Sequence, residues 1–204
     1  DLTPDGIVRN PGELDTQAQY AIHHFDQALR DLDCDLEDLV WLLCFYVNDG
    51  SVIESDFLKM LGSCLPCGAL PAVNAVPVPA LAYPGLAVEI EGYAMRREDG
   101  RRIKKSIAVD NTLRPLPTPF SQAVRSGNMI FVSAQYPYSP DGNVTHPNDS
   151  VAQTKRVMTQ VRGLLSQFGA ECSDVVKLNR WYAGNVGIDD FEPAALACAS
   201  FFRE

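Results

Sequence analysis

Histidine is scarce in this chain, basic residues are outnumbered, and no long apolar run occurs. Each shortage closes off a class of function. Of three histidines in 204 residues, His23 and His24 sit side by side beside the apolar Ile22 and Phe25, as boundary residues of a helix. No histidine and cysteine set stands at zinc-ligand spacing, so no metal and no other cofactor is expected. Seventeen Lys and Arg against 26 Asp and Glu give a formal net charge of -9, a field that repels polyanions and argues against nucleic-acid binding. No stretch approaches the roughly 18 consecutive apolar residues of a membrane span. The opening Asp1-Leu2-Thr3-Pro4-Asp5 lacks a basic-then-apolar leader pattern, so the expected location is cytoplasmic. Six cysteines lie scattered through apolar stretches, as buried hydrophobes of a reducing compartment do, and imply no disulfide framework. Cys64-Leu65-Pro66-Cys67 has redox spacing without a second ligand pair and reads as ordinary thiols near a helix end.

What is present is a repeat. Thr3-Pro4-Asp5-Gly6 realigns with Ser139-Pro140-Asp141-Gly142, an offset of 136. At that offset Pro11 meets Pro147, Gln17 meets Gln153, Leu29 meets Leu165, Asp38 meets Asp174 and Tyr46 meets Tyr182. After a small length change Asp56-Phe57 meets Asp190-Phe191 and Cys64 meets Cys198. A register this long predicts a duplicated unit.

In each copy apolar residues recur at helical spacing after the turn: Ala18, Ala21, Ile22, Phe25, Leu29 and Leu32, then Val151, Val157, Met158, Val161, Leu164, Leu165 and Phe168. Strands are predicted over Leu39–Val47 and Val175–Ala183, followed by helices over Ser55–Cys64 and Asp189–Phe202. Trp181 and Tyr182, opposite Phe45 and Tyr46, are expected to fill a sheet-to-helix core or a subunit contact. The first copy continues into extended runs at Ala72–Leu81, Leu86–Arg96 and Ile103–Val109, the first marked as an edge by Pro77 and Pro79. Runs at Ser121–Val124 and Asn128–Gln135 precede the second helix pair, with no counterpart before Asp1 and nothing after Phe202 to match 72–96. Measured against its own repeat, the chain is expected to be clipped at both ends. The expected division is a first unit over 1–110, a proline-rich linker over 111–118 and a second unit over 119–204.

Pro119-Phe120-Ser121-Gln122-Ala123-Val124, followed by Gly127-Asn128 and by Ser133-Ala134-Gln135, resembles the opening of the YjgF/RidA family. Val88-Glu89-Ile90-Glu91-Gly92-Tyr93-Ala94 is similar to that family's closing motif. The resemblance implies an α+β fold with two tandem units, each a mixed β-sheet backed by two helices in a chorismate-mutase-like βαβαβ arrangement. It also implies a trimer-like homo-oligomer and a cofactor-free hydrolysis of small carboxylated enamines or imines to keto acids and ammonia. On the matching positions it assigns Glu89 to proton chemistry, and Ser133, Phe120 and Gln135 to the substrate cleft. The family's arginine, which grips the substrate carboxylate through a planar two-pronged pair, falls after Pro71-Ala72, where this chain has Val73 and Asn74. A catalytically lapsed binding or assembly module is therefore the competing expectation. An endoribonuclease role, suggested by a label on some family members, conflicts with the acidic charge. Arg96, Arg97, Arg101, Arg102, Lys104 and Lys105 form one basic cluster, expected as a solvated face.

Overall fold

The apolar stripe of the first copy forms helix α1 (Leu14–Arg30) in the computed structural model, which describes residues 2–3, 5–182 and 188–203. Ala18, Ile22 and Leu29 are buried with Leu14 and Phe25 packed against them. Leu32 lies past the helix end and is exposed. A single 3-10 turn over Leu36–Asp38, closed by the Asp35 N–H donating to the Asp38 carboxylate, leads into β1 (Leu39–Val47). β1 is buried nearly throughout, as its unbroken run of apolar residues predicts for a strand covered on both faces.

Helix α2 (Glu54–Ser63) carries the chain over to β2 (Ala72–Val78), parallel to β1, and β3 (Val88–Ala94) returns antiparallel on its other edge. The sheet order β2-β1-β3 leaves β2 at an edge, where Pro77 costs no central ladder bond. Leu42, Cys44, Tyr46, Val73, Ala75 and Val88 form one core with α1 and α2. Each such leucine, valine or phenylalanine contributes about 1.5–3 kcal/mol on burial. A second sheet, β4 (Lys105–Ala108), β5 (Ala123–Ser126) and β6 (Met129–Val132), has the order β4-β5-β6. From it Val124 and Phe131 pack with Val40, Trp41, Leu43 and Ala72 in a second, smaller core.

The chain divides into two compact units, one running to Ile107 and including Leu116–Ala134, the other comprising Ala108–Pro115 and everything from Gln135 on. In the second, α3 (Ser150–Ser166) is capped by Asp149, whose carboxylate accepts the Ala152 N–H, and packs on α4 (Ile188–Ser200). Met158, Val161, Leu164, Ala194 and Cys198 are buried there.

Several local features recur 136 residues apart. Both long helices have 17 residues. Gln17 Nε2 donates to the carbonyls of Arg9 and Asn10, and Gln153 Nε2 to those of Thr145 and His146. Asn10 and His146 both take positive φ, and the bridges Leu2–Val8 and Tyr138–Val144 match. The ring pair Tyr46–Phe57 is answered by Tyr182–Phe191.

One predicted element is absent. Residues 175–182 form no strand, and Ala183 lies outside the described residues. The counterpart, β1, is hydrogen-bonded along both edges by β2 and β3. Among the described residues no strand lies in a sheet with 175–182, and a strand without a neighbouring strand has no ladder to hold it. Val176 is consequently 86% exposed and Trp181 55% exposed, so Trp181 lies outside the core expected for it. Among the described residues no helix is long and apolar enough to cross a membrane.

Candidate functional site

Alternation along the first sheet separates a helix-facing side from an opposite side that the second core covers at Trp41, Leu43 and Ala72 and that is open only along β3. Glu89, Glu91 and Tyr93 of β3 are exposed, while Val88 and Ile90 turn to the helices. Register sets three rows across the opposite side: Glu89–Phe45–Val76, Glu91–Leu43–Asn74 and Tyr93–Trp41–Ala72. Trp41 stacks on Tyr93 at 5.2 Å between ring centroids, and Phe131 approaches Tyr93 at 6.2 Å, closing one end of the face. The Asn74 Oδ1 is buried and has no hydrogen-bond partner among the described residues. Asn74, which with Val73 stands where the family's arginine falls, lies in the cross-strand row beside Leu43 and Glu91.

Glu89 is thus accessible and shares its row with Phe45. Val73, Ser133 and Phe120 are brought together elsewhere, Val73 lying two strands across from Glu89 and three residues along from its row. The Val73 side chain is buried in the helix-facing core, and its N–H donates to Ser133 Oγ at 2.7 Å. Ser133 Oγ in turn donates to the Ser121 carbonyl at 2.6 Å. The Ser121 N–H reaches the Pro71 carbonyl and the Ala134 N–H the Val73 carbonyl, so Ser133 is one stitch in a seam along the β2 edge. Phe120 is buried under α2, where Gly62 permits the approach: a Cβ there would lie 2.6 Å from the Thr118 carbonyl oxygen. Gln135, half-buried, begins the second unit.

Arg97, Arg101 and Lys104 of the basic cluster are exposed as expected, whereas Arg96, Arg102 and Lys105 turn onto partners. Asp38, fully buried, receives Arg96 Nη2 and Arg102 Nε, the latter at 3.0 Å; Arg102 also pairs with Asp35 and Glu37. Burial alone would raise the Asp38 carboxyl, but Arg96, the Asp35 N–H and Arg102 together hold it below the usual carboxylate range. Lys105 Nζ donates to the carbonyls of Leu39 and Ala69, and burial pushes this amine down to about 8. The unfolded chain, with Lys105 near 10.5, holds more protons than the native chain between those values, so this lysine makes stability rise with pH from about 8 towards 10.5. Urea melts at pH 8 and pH 10 should show that slope in the wild type and lose it in Lys105→Met. The acidic partners Asp35, Glu37 and Asp38 stand some sixty residues from the arginines, a signal only opposite charge counts could have offered.

The two-layer α+β architecture is that of a known class. A chorismatase crystal structure aligns with a TM-score of 0.61 over 96% of this chain and 64% of its own, at 15% identity. A RutC family protein of Pyrococcus abyssi is 37% identical over 101 residues, which is 50% of this chain and 76% of that protein. The 3-aminoacrylate deaminase RutC of Acinetobacter baylyi is 32% identical over 72 residues, 35% of this chain and 56% of that protein. Residues 112–203 match the family model described as Endoribonuclease L-PSP. The chain belongs to the YjgF/RidA family.

Proposed function

We propose that the chain acts on small enamines or imines along the open strand β3 of the first sheet, as a deaminase-type hydrolase in which Glu89 carries the proton. The observation behind this reading is Glu89 itself, an accessible carboxylate on the strand that ends the family motif, in a row with Phe45 and Val76. In its acid form a carboxyl group so placed can protonate the enamine carbon; the carboxylate this leaves draws a proton from the water that attacks the iminium carbon, and ammonia departs as the carbinolamine collapses. No arginine shares these rows, so a carboxylated substrate would meet Glu89 and Glu91 without a clamp.

A second reading, binding without turnover, is favoured by the engagement of Val73, Phe120 and Ser133 in core and seam. Ammonia release from freshly generated 2-aminoacrylate and 3-aminoacrylate separates the two. Turnover reduced about a hundredfold in Glu89→Gln is expected for the hydrolase; no release above buffer by folded wild type leaves the binding module. Asn74 and Gln135 are proposed as further ligand contacts. The recurring features support a duplicated unit, for which the proposed copies are 1–110 and 119–204 joined by 111–118; a trimer-like homo-oligomer in the cytoplasm is proposed from the family resemblance alone.

A further inference from the structure

The strip of β3 that carries Glu89 presents negative charge with nothing beside it to balance that charge. Glu89 and Glu91 lie two residues apart on one strand face, which sets their carboxylates about 7 Å apart along it. Both side chains are exposed. Arg96, the nearest arginine along the strand, is turned onto Asp35 and Asp38, and among the described residues no cation pairs with either glutamate. Their rows continue into Phe45 and Val76 beside Glu89, and into Leu43 and Asn74 beside Glu91. These rows hold no lysine or arginine, and the buried Asn74 Oδ1, which no donor answers among the described residues, adds the negative end of one more dipole. Tyr93, two residues further on and 48% exposed, stacks on Trp41 and bounds the strip at that end.

The sign of this field selects a ligand before contact is made. An anion approaching the strip meets two like charges, whereas a cation is drawn in. An imine derived from an amino acid brings a carboxylate, and Val73, where a clamping arginine would fall, has its side chain in the helix-facing core.

We infer that the substrate class of this site is the cationic imine of a simple amine, an iminium group without a carboxylate, joined to a flat apolar group that lies on Phe45. The inference rests on the reading of Glu89 as the proton carrier. Glu91 is the specificity-determining residue, accepting from the iminium N–H while Glu89 draws the proton from water. Water adds to the iminium carbon and the carbon–nitrogen bond breaks. One iminium ion and one water thus give one neutral aldehyde or ketone and one ammonium ion, without oxidation or reduction. The neutral carbonyl product no longer feels the field that held the substrate.

Benzamidine, benzamide and benzoate share one shape and differ in charge, so equilibrium dialysis of each against the full chain isolates this choice from turnover. Benzamidine is expected to bind about fivefold or more tighter than benzamide, since each exposed ion pair contributes up to about fivefold, and benzoate to bind weakest. Glu91→Gln, a near-isosteric change at an exposed position, should weaken benzamidine about threefold and leave benzamide unchanged. Added salt should shrink the difference. In turnover, ammonia release should be accelerated more from benzaldimine, generated from benzylamine by an amine oxidase, than from the phenylglycine imine generated by an amino-acid oxidase. Benzamide or benzoate binding as tightly as benzamidine overturns the inference, as does benzamidine binding indifferent to both Glu89→Gln and Glu91→Gln. Faster release from the phenylglycine imine overturns it too and leaves the hydrolase standing. No release from either imine, with benzamidine binding still dependent on Glu91, overturns the hydrolase and keeps the cationic ligand.

Discussion

Asp38→Ala is expected to cost about 3–5 kcal/mol of stability, because it strips the partner from Arg96 and from Arg102 where the carboxylate itself is fully buried. Urea unfolding followed by tryptophan fluorescence checks it, since Trp181 is exposed in the native chain and the change reports chiefly on Trp41 beside this cluster's strand. A loss under about 1 kcal/mol would mean that the cluster behaves as an ordinary exposed pair. The same carboxylate sets the acid limb. Its native pKa is depressed, so its contribution is complete above the ordinary carboxylate range and is lost as pH falls through the lowered native value. Asp38→Asn should flatten that limb while leaving the alkaline rise due to Lys105 in place.

The second large effect is expected at Gln17, fully buried in α1. Its amide nitrogen serves three carbonyls, of Arg9, Asn10 and Gly85, and its oxygen takes the Ala87 N–H. Gln17→Leu keeps the volume but takes the partner from the Ala87 N–H and the Arg9 carbonyl, while the Asn10 and Gly85 carbonyls keep the N–H groups of Glu13 and Gly12, at about 1–3 kcal/mol for each group left unsatisfied away from water. A total of about 2–4 kcal/mol is expected. Gln153→Leu loses two bonds in a half-buried setting and should cost about 1 kcal/mol. Equal losses at the two positions would show that the tie from Gln17 to the loop before β3 carries no weight.

Elements whose signal is local were legible in advance. α1, α2, β1, α3 and α4 all formed within a few residues of their expected positions, because a one-sided stripe or a continuous β-branched and aromatic run is a property of the segment itself. The α+β class followed from that order of elements, and family membership from short motifs in the right sequence. Leu32 misled because it continued the stripe past the point where Asp31 and Asp33 end the helix. The segment 175–182 misled for a deeper reason: strand propensity states what a segment would do with neighbours, and its neighbours were not legible in its own residues.

The candidate site was legible only in outline. Glu89 could be placed on an exposed face by alternation alone. That Ser133 Oγ would be engaged by the Val73 N–H, 60 residues away in sequence, could not. Nor could the burial of Phe120 under α2, or the turning of Arg96 and Arg102 onto Asp38. The amino-acid sequence by itself determined the helices and the central strand, since periodicity and side-chain shape act over a few residues. Tertiary structure alone decided which polar groups are spent, which remain open and which strand finds partners, because those outcomes depend on chain closure bringing distant residues together and on the burial that follows.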